Sequence, residues 1–232
     1  MNPRIESVLL VRHARSTAND DPTLYRRVPD HAIPLARPED DPSAAAAGAV
    51  IGALKLDPGA VCAWSSTYLR CKQTRELSLA TAFGAASGAV ARRESFLLRE
   101  QEFGDWDGYT EAEMAVRDPD RLARRKRMSD QAGRFYFRYP NGESRADVVQ
   151  RCSIFVGKLH RSRFRHHLVF LHGVTQRALR MAWFNHSVEW FEDEPNPLNC
   201  SVLLVRRDPV KKDRWVEQYL PANPETATAA VR

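Results

Sequence analysis

The chain has no apolar run approaching the ~20 residues that a membrane-spanning helix needs, so no membrane role is expected of it. It is poor in cysteine: Cys62, Cys71, Cys152 and Cys200 are the only four in 232 residues. They lack the short spacings that hold zinc and the density of a disulfide scaffold. Two lie in strand-like runs and two in helix-like ones, which reads as reduced packing residues in a cytoplasmic protein. Residues 1–6 lack the apolar segment of a secretory signal. There is no internal repeat, no interdomain linker and no carboxylate cluster suited to magnesium, so neither metal nor cofactor is expected. Acidic residues are in the minority: 29 Asp and Glu stand against 35 Lys and Arg, a net charge of +6. That balance favours anionic ligands. The densest basic run, residues 121–127, has no interleaved aromatics and no nucleic-acid motif. It reads as a solvated helix face, which leaves a small phosphorylated molecule as the expected partner rather than nucleic acid.

What the chain does contain is an apolar run, Ser7-Val8-Leu9-Leu10-Val11, that ends abruptly in Arg12-His13. A buried strand delivering two polar side chains to a sheet edge has this pattern. Ligands of α/β sheets bind outside the carboxyl ends of strands. An arginine there offers a planar fork of donors for phosphate oxygens. A histidine there can act as a nucleophile, because much of its imidazole is unprotonated near pH 7.

Strand-like runs recur at 61–64, 89–93, 168–171 and 200–205, with a hairpin-like return at 215–219. Helical periodicity marks 43–54 with Ser43 as cap, 67–80, a helix capped by Ser144, and 175–184. Alternating strands and helices predict a single α/β domain over residues 1–220, with a largely parallel central sheet and helices on both faces. Segment 94–140 is charged and rich in aromatics, and predicts a lid insertion with one helix over 110–128. The loop over 19–41, with prolines at 22, 29, 34 and 38, is long enough to be functional. Residues 221–232 read as a disordered tail. His31, His160, His166, His167 and His186 read as surface or loop residues.

Three more segments accompany Arg12-His13. Ser65-Ser66-Thr67-Tyr68-Leu69-Arg70-Cys71-Lys72-Gln73-Thr74 follows the second strand-like run. Leu98-Arg99-Glu100-Gln101-Glu102-Phe103-Gly104 opens the insertion, and His172-Gly173 ends the run at 168–171. In type and order these resemble the histidine phosphatase superfamily, in its phosphoglycerate-mutase-like branch. Pro29-Asp30-His31, Pro140-Asn141-Gly142-Glu143-Ser144 and Asn196-Pro197-Leu198-Asn199-Cys200 are similar to a subgroup found in plants, fungi and bacteria. The resemblance implies a phosphomonoester hydrolase without metal or cofactor, working through a phosphohistidine on His13. By the same resemblance Glu100 is the proton donor and His172 stabilises the transferring phosphoryl group. Arg12, Arg70, Ser16, Asn19 and Gly173 match phosphate-binding positions, although Ser16 and Asn19 equally suit a turn. Arg15, Tyr25 and Arg138 are candidates for the substrate pocket, with Arg26, Arg27 and Arg134 as further ones.

The chain departs from the family pattern in three places. Ala14 stands where glycine is usual, at a cost of about 1 kcal/mol if that position needs a positive φ. Arg15 stands where glutamate is usual and adds positive charge beside the pocket. Residues 35–39 lack the usual helix-start motif. Two other readings stay open. A phosphoglycerate mutase would need a closed basic lid, for which Arg124 and Arg125 are the candidates. A non-catalytic phospho-ligand binding protein would be expected to have lost His13, Glu100 or His172, and none is lost. Oligomeric state, monomer or homodimer, is not readable from the sequence.

Overall fold

The computed structural model describes residues 5–211 and 214–221. In chain order the elements are β1 (Ser7–Arg12), α1 (Thr17–Asp20), α2 (Pro42–Ala53), β2 (Val61–Ser65), α3 (Leu69–Phe83) and β3 (Ala91–Glu94). Then follow α4 (Glu111–Arg117), α5 (Pro119–Ala132), α6 (Arg145–His160), β4 (His166–Leu171), α7 (Gly173–Phe184), α8 (Val188–Asp193), β5 (Val202–Arg207) and β6 (Trp215–Leu220). The strands form one sheet in the order β3-β2-β4-β1-β5-β6. The first four in that order run parallel, and β5 and β6 are antiparallel additions.

The apolar runs at 7–11 and 168–171 form the two central strands, where both faces are covered. Side chains alternate between two cores. Val8, Leu10, Trp64, Val169 and Leu171 pack with Cys152 and Phe155 of α6 and Leu179 of α7. Leu9, Val11, Ala63, Leu168 and Phe170 face the other way, onto Ala47 and Ile51 of α2 and Leu79 of α3. With β1 paired to β4 in register, Arg12 lies opposite Leu171. The two strands therefore end together, and the residues just beyond them, His13 and His172, emerge side by side.

Segment 94–140 has its own small core of Trp106, Met114, Leu122 and Phe137. The single helix expected over 110–128 is two helices, because Pro119 restricts the residue before it. Asp118 takes φ −149° and ψ 63°, and Pro119 starts α5. The segment's two ends lie against each other: Glu143 N donates to Glu102 O at 2.8 Å, and Asp105 N to Pro140 O at 3.0 Å. Gly104 sits at this junction with φ +57°, where a Cβ would collide with the Pro140 carbonyl.

Other boundaries move for local reasons. Asp41, not Ser43, caps α2: its carboxylate accepts from the amides of Ser43 (2.9 Å) and Ala44 (3.0 Å), with Pro42 at the first helical position. Helix α3 begins at Leu69 rather than Thr67, and α7 at Gly173 rather than Thr175. Cys200, expected to open the last strand, has φ +57° and belongs to the turn before β5. His167 is no surface residue. It lies inside β4, fully buried, and its Nδ1 accepts from Trp64 Nε1 at 3.2 Å. His166 is half-buried at the start of β4. His160 stacks on Trp183 and His186 on Trp190. Leu35, in the stretch that lacks the usual motif, is buried and bridges to Ser16. The tail expected from residue 221 lies, beyond Pro221, outside the described residues.

Gly104→Ala combines a left-handed backbone with a backbone clash. It is expected to destabilise the protein by roughly 2–4 kcal/mol in a urea melt. A change within 0.5 kcal/mol would show that the junction of the insertion relaxes freely.

Candidate active site

His13 is held from four directions. Its amide donates to Leu171 O at 2.9 Å, and its carbonyl accepts from Asn199 Nδ2 at 2.8 Å. On either side, Cys200 N donates to Arg12 O at 3.0 Å and Ala14 N to Thr74 Oγ1 at 3.0 Å. The His13 Nδ1 lies 2.7 Å from Ala14 O. A carbonyl only accepts, so Nδ1 carries the ring proton and Nε2 keeps its lone pair. Burial, then the charges of Arg70 and Arg12, hold the His13 pKa well below its usual value. The ring is therefore neutral at neutral pH.

His172 ends β4 and is the N-cap residue of α7. Its ring centroid is 5.1 Å from that of His13, and Tyr68 packs edge-on against it at 5.0 Å. Its Nε2 lies 3.0 Å from Ser66 Oγ and 3.3 Å from Cys71 Sγ. Burial, then Arg70 and His13, also depress its pKa strongly. Cys71 is thus a packing residue in contact with the site, and burial raises its thiol pKa.

Both arginines are partly engaged. Arg12 Nη1 donates to Pro197 O at 2.6 Å. Arg70, 1% exposed, donates from Nη1 to the carbonyl (2.8 Å) and carboxylate (2.6 Å) of Asp30. The Nε of each is buried without a partner. An orphaned buried guanidinium N–H is costly, and two of them beside two neutral imidazoles mark a place where an anion belongs. Gly173 adjoins Arg12: a Cβ there would lie 3.7 Å from Arg12 Nε.

Glu100 approaches from the insertion and lands on the N-terminus of α7. Its Oε2 accepts from Val174 N at 3.2 Å, and its Oε1 from Thr175 N at 3.2 Å and Gln101 N at 3.0 Å. A carboxylate at a helix N-terminus meets free amides and the positive end of the dipole. Tyr25 also reaches the site, where burial pushes its phenol up to about 12 in the field of Arg70, Asp30, Asp107 and Glu100. Burial, reinforced by Asp30 and Glu102, pushes Asp107 up to about 6.

Most of the other candidates are bonded to partners of their own. Asn19 Oδ1 accepts from Ser16 N (2.9 Å) and Ser16 Oγ (3.1 Å), so this pair shapes the start of α1. Arg15 is exposed and paired with Asp20, which neutralises the charge expected beside the pocket. Arg138 is exposed and bound to Asp147 at the first turn of α6. Arg27 pairs with Asp21, and Arg134 is exposed. Arg26 joins the first loop to the insertion through Gly108 O (2.8 Å) and Glu113 (2.6 Å). Ala14 has no positive φ, so it carries no strain. Asp30, Ser66, Thr74 and Asn199 were not singled out from sequence, although each lies within or beside a quoted motif.

The fold and this pocket define a class: a doubly wound α/β protein with a cationic, two-histidine site beyond its parallel strands. The chain belongs to the histidine phosphatase superfamily (branch 1), whose family model matches residues 8–218. It is 34% identical over 212 residues to Phosphoglycerate mutase-like protein AT74 of Arabidopsis thaliana. That match covers 85% of this chain and 64% of the plant protein, just under two thirds of its length. It is 33% identical over 123 residues to Broad-range acid phosphatase DET1 of Saccharomyces cerevisiae, covering 48% of this chain and 33% of the yeast protein. The structure of a mycobacterial glucosyl-3-phosphoglycerate phosphatase complexed with VO3 superposes with a TM-score of 0.67 at 22% identity, over 94% of this chain and 100% of that one. This last likeness is one of fold. Among the described residues, no helix is long and apolar enough to cross a membrane.

His13, His172 and His167 (the last pushed down to about 4 by burial) are all depressed in the fold. The unfolded chain takes up their protons near pH 6.5. Stability is therefore unaffected by them above that pH and is lost as pH falls below it, each contributing up to about 1.4 kcal/mol per pH unit. The melting temperature of the ligand-free protein is expected to drop between pH 7 and pH 5. A flat profile there would mean that the folded protein accepts these protons.

Proposed function

We propose that this protein is a metal-independent, cytoplasmic phosphomonoester hydrolase working through a phosphohistidine on His13. The observation that carries the reading is the pair of buried, unpartnered guanidinium N–H groups of Arg12 and Arg70 beside a neutral His13 whose Nε2 is unprotonated. The named activities of the yeast and mycobacterial proteins, both phosphatases, support the same class for this chain.

In the first step His13 Nε2 attacks phosphorus, an N–P bond forms, and the P–O bond to the alcohol breaks. Arg12, Arg70 and His172 hold the equatorial oxygens, where charge must be neutralised. Glu100 gives its proton to the departing alkoxide. In the second step Glu100 takes a proton from water, whose oxygen attacks phosphorus. The N–P bond breaks, releasing inorganic phosphate and restoring neutral His13. The Thr175 hydroxyl helps to place the Glu100 carboxyl: it donates to Arg99 O at 2.6 Å and lies 3.1 Å from Glu100 Oε1.

The mutase reading is weaker on this geometry. Gripping a second anionic group needs free cations over the site, and of the two candidates Arg125 is bound to Glu111 at 3.3 Å. The acids near the centre, Asp30, Glu102 and Asp107, oppose a substrate carboxylate.

His13→Ala is expected to fold and to release no phosphate from p-nitrophenyl phosphate or glycerol 2-phosphate; turnover by the folded variant would sink the phosphohistidine route. Glu100→Ala is expected to lose roughly 10²- to 10⁴-fold on glycerol 2-phosphate. Its loss on p-nitrophenyl phosphate should be much smaller, because that leaving group needs little protonation. Equal losses on both substrates would remove Glu100 from the acid role.

A further inference from the structure

We propose that Arg151, clamped to Glu143, is a positioning residue for Glu100. It fixes the backbone of the insertion so that the carboxyl stands where it can serve the leaving group. The inference rests on the phosphatase reading above.

Arg151 lies on α6 and is 6% exposed; its side-chain hydrogen bonds go to Leu97, Glu100 and Glu143, and it reaches His172 only through its charge. Its guanidinium thus joins three residues. Nη1 donates to Leu97 O at 2.7 Å, and Nη2 to Glu100 O at 3.1 Å. Nε and Nη2 form a fork on the Glu143 carboxylate, each at 3.0 Å. Glu143, 8% exposed, completes the clamp: its Oε2 accepts from Glu102 N at 3.2 Å and its Oε1 from Arg99 Nη2 at 2.5 Å. Its carbonyl accepts from Gln101 Nε2 at 3.0 Å. Residues 97, 99, 100, 101 and 102 are thus all held by one buried ion pair.

Two anchors then determine where Glu100 stands. The N-terminus of α7 holds its carboxyl, and the Arg151–Glu143 pair holds its backbone. A buried ion pair is poor evidence for stability, since hydrophobic replacements often do as well. A planar fork that satisfies two loop carbonyls and a carboxylate at once is, however, something that neither a lysine nor an apolar side chain reproduces. General-acid help depends on placement of the carboxyl to within hydrogen-bond reach. The phosphate clamp, built on β1, α3 and β4, does not use this pair.

The test compares wild type, Arg151→Lys and Arg151→Met on p-nitrophenyl phosphate and glycerol 2-phosphate, with folding followed by circular dichroism. Arg151→Lys keeps the charge beside Glu143 and loses the fork. It is expected to fold and to lose roughly 10- to 100-fold in kcat on glycerol 2-phosphate, with less than about a threefold loss on p-nitrophenyl phosphate. Arg151→Met, if folded, should show the same selectivity more strongly. It strands the Glu143 charge, so if it fails to fold, Arg151→Lys alone decides. Equal losses on the two substrates, or no loss, in folded Arg151→Lys overturns the positioning role. Failure of wild type to hydrolyse either ester in a His13-dependent way sinks the phosphatase reading instead, a separable result.

Discussion

Two guanidiniums at the end of a parallel sheet, that of Arg70 buried and that of Arg12 partly so, are the constraint around which the rest of this structure is arranged. Charges taken out of water must be paired or hydrogen-bonded. Asp30 partners Arg70, and the Pro197 carbonyl partners Arg12. Neither partner exhausts the donors, and the Nε of each arginine stays unpaired. The same positive field, added to burial, keeps His13 and His172 neutral. The proposed phosphate-binding charges and the proposed nucleophile thus share one field: the arginines that would draw in an anion also keep the His13 imidazole unprotonated.

Much of the chain serves to hold that arrangement still. The turn at 196–200 supplies Pro197 O to Arg12, Asn199 Nδ2 to the His13 carbonyl and Cys200 N to the Arg12 carbonyl. Thr74 on α3 accepts from Ala14 N while donating to Arg70 O at 2.7 Å, which links the two arginine-bearing segments. The insertion enters through Glu100, whose position depends on α7 at one end and on Arg151 and Glu143 at the other. Segment 94–140 has a small core of Trp106, Met114, Leu122 and Phe137, and Arg26 ties it to the loop after β1. A preorganised site of this kind spends folding energy before the substrate arrives, which is what electrostatic stabilisation of a transition state requires.

The comparison of sequence with structure is instructive at particular residues. The runs at 7–11 and 168–171 were legible as central strands because both faces are apolar, and their ends placed His13 and His172 together. Arg12, Arg70 and Glu100 were expected at the site by resemblance; the fold brings the charges of Arg12 and Arg70 close to His13 and sets the Glu100 carboxyl on the N-terminus of α7. Arg15 and Arg138 were not separable from pocket residues by type alone, and nearby Asp20 and Asp147 take them. Ser16 and Asn19 bond to each other at the start of α1. His167 was taken for a surface residue because a histidine beside apolar residues carries no mark of its hydrogen-bond partner, here Trp64 from the neighbouring strand. The break at Asp118-Pro119, within the stretch read as one helix over 110–128, follows from the proline that starts α5.

Local chemistry in the sequence was enough to determine the strand and helix pattern, the two strand-end histidines and the arginines that follow from the motifs. Those features depend on periodicity and on neighbours within a few residues, and chain order carries that information directly. Tertiary structure decided which polar groups are partnered. Asp30 on Arg70, Asn199 on His13, Ser66 and Cys71 on His172, and Glu143 on Arg151 bring together residues from 8 to 186 positions apart. Their pairing follows from sheet order and from burial, which no local pattern encodes. The same burial lowers the pKa of the two site imidazoles well below its ordinary value, because the charge a group carries depends on the whole of its surroundings.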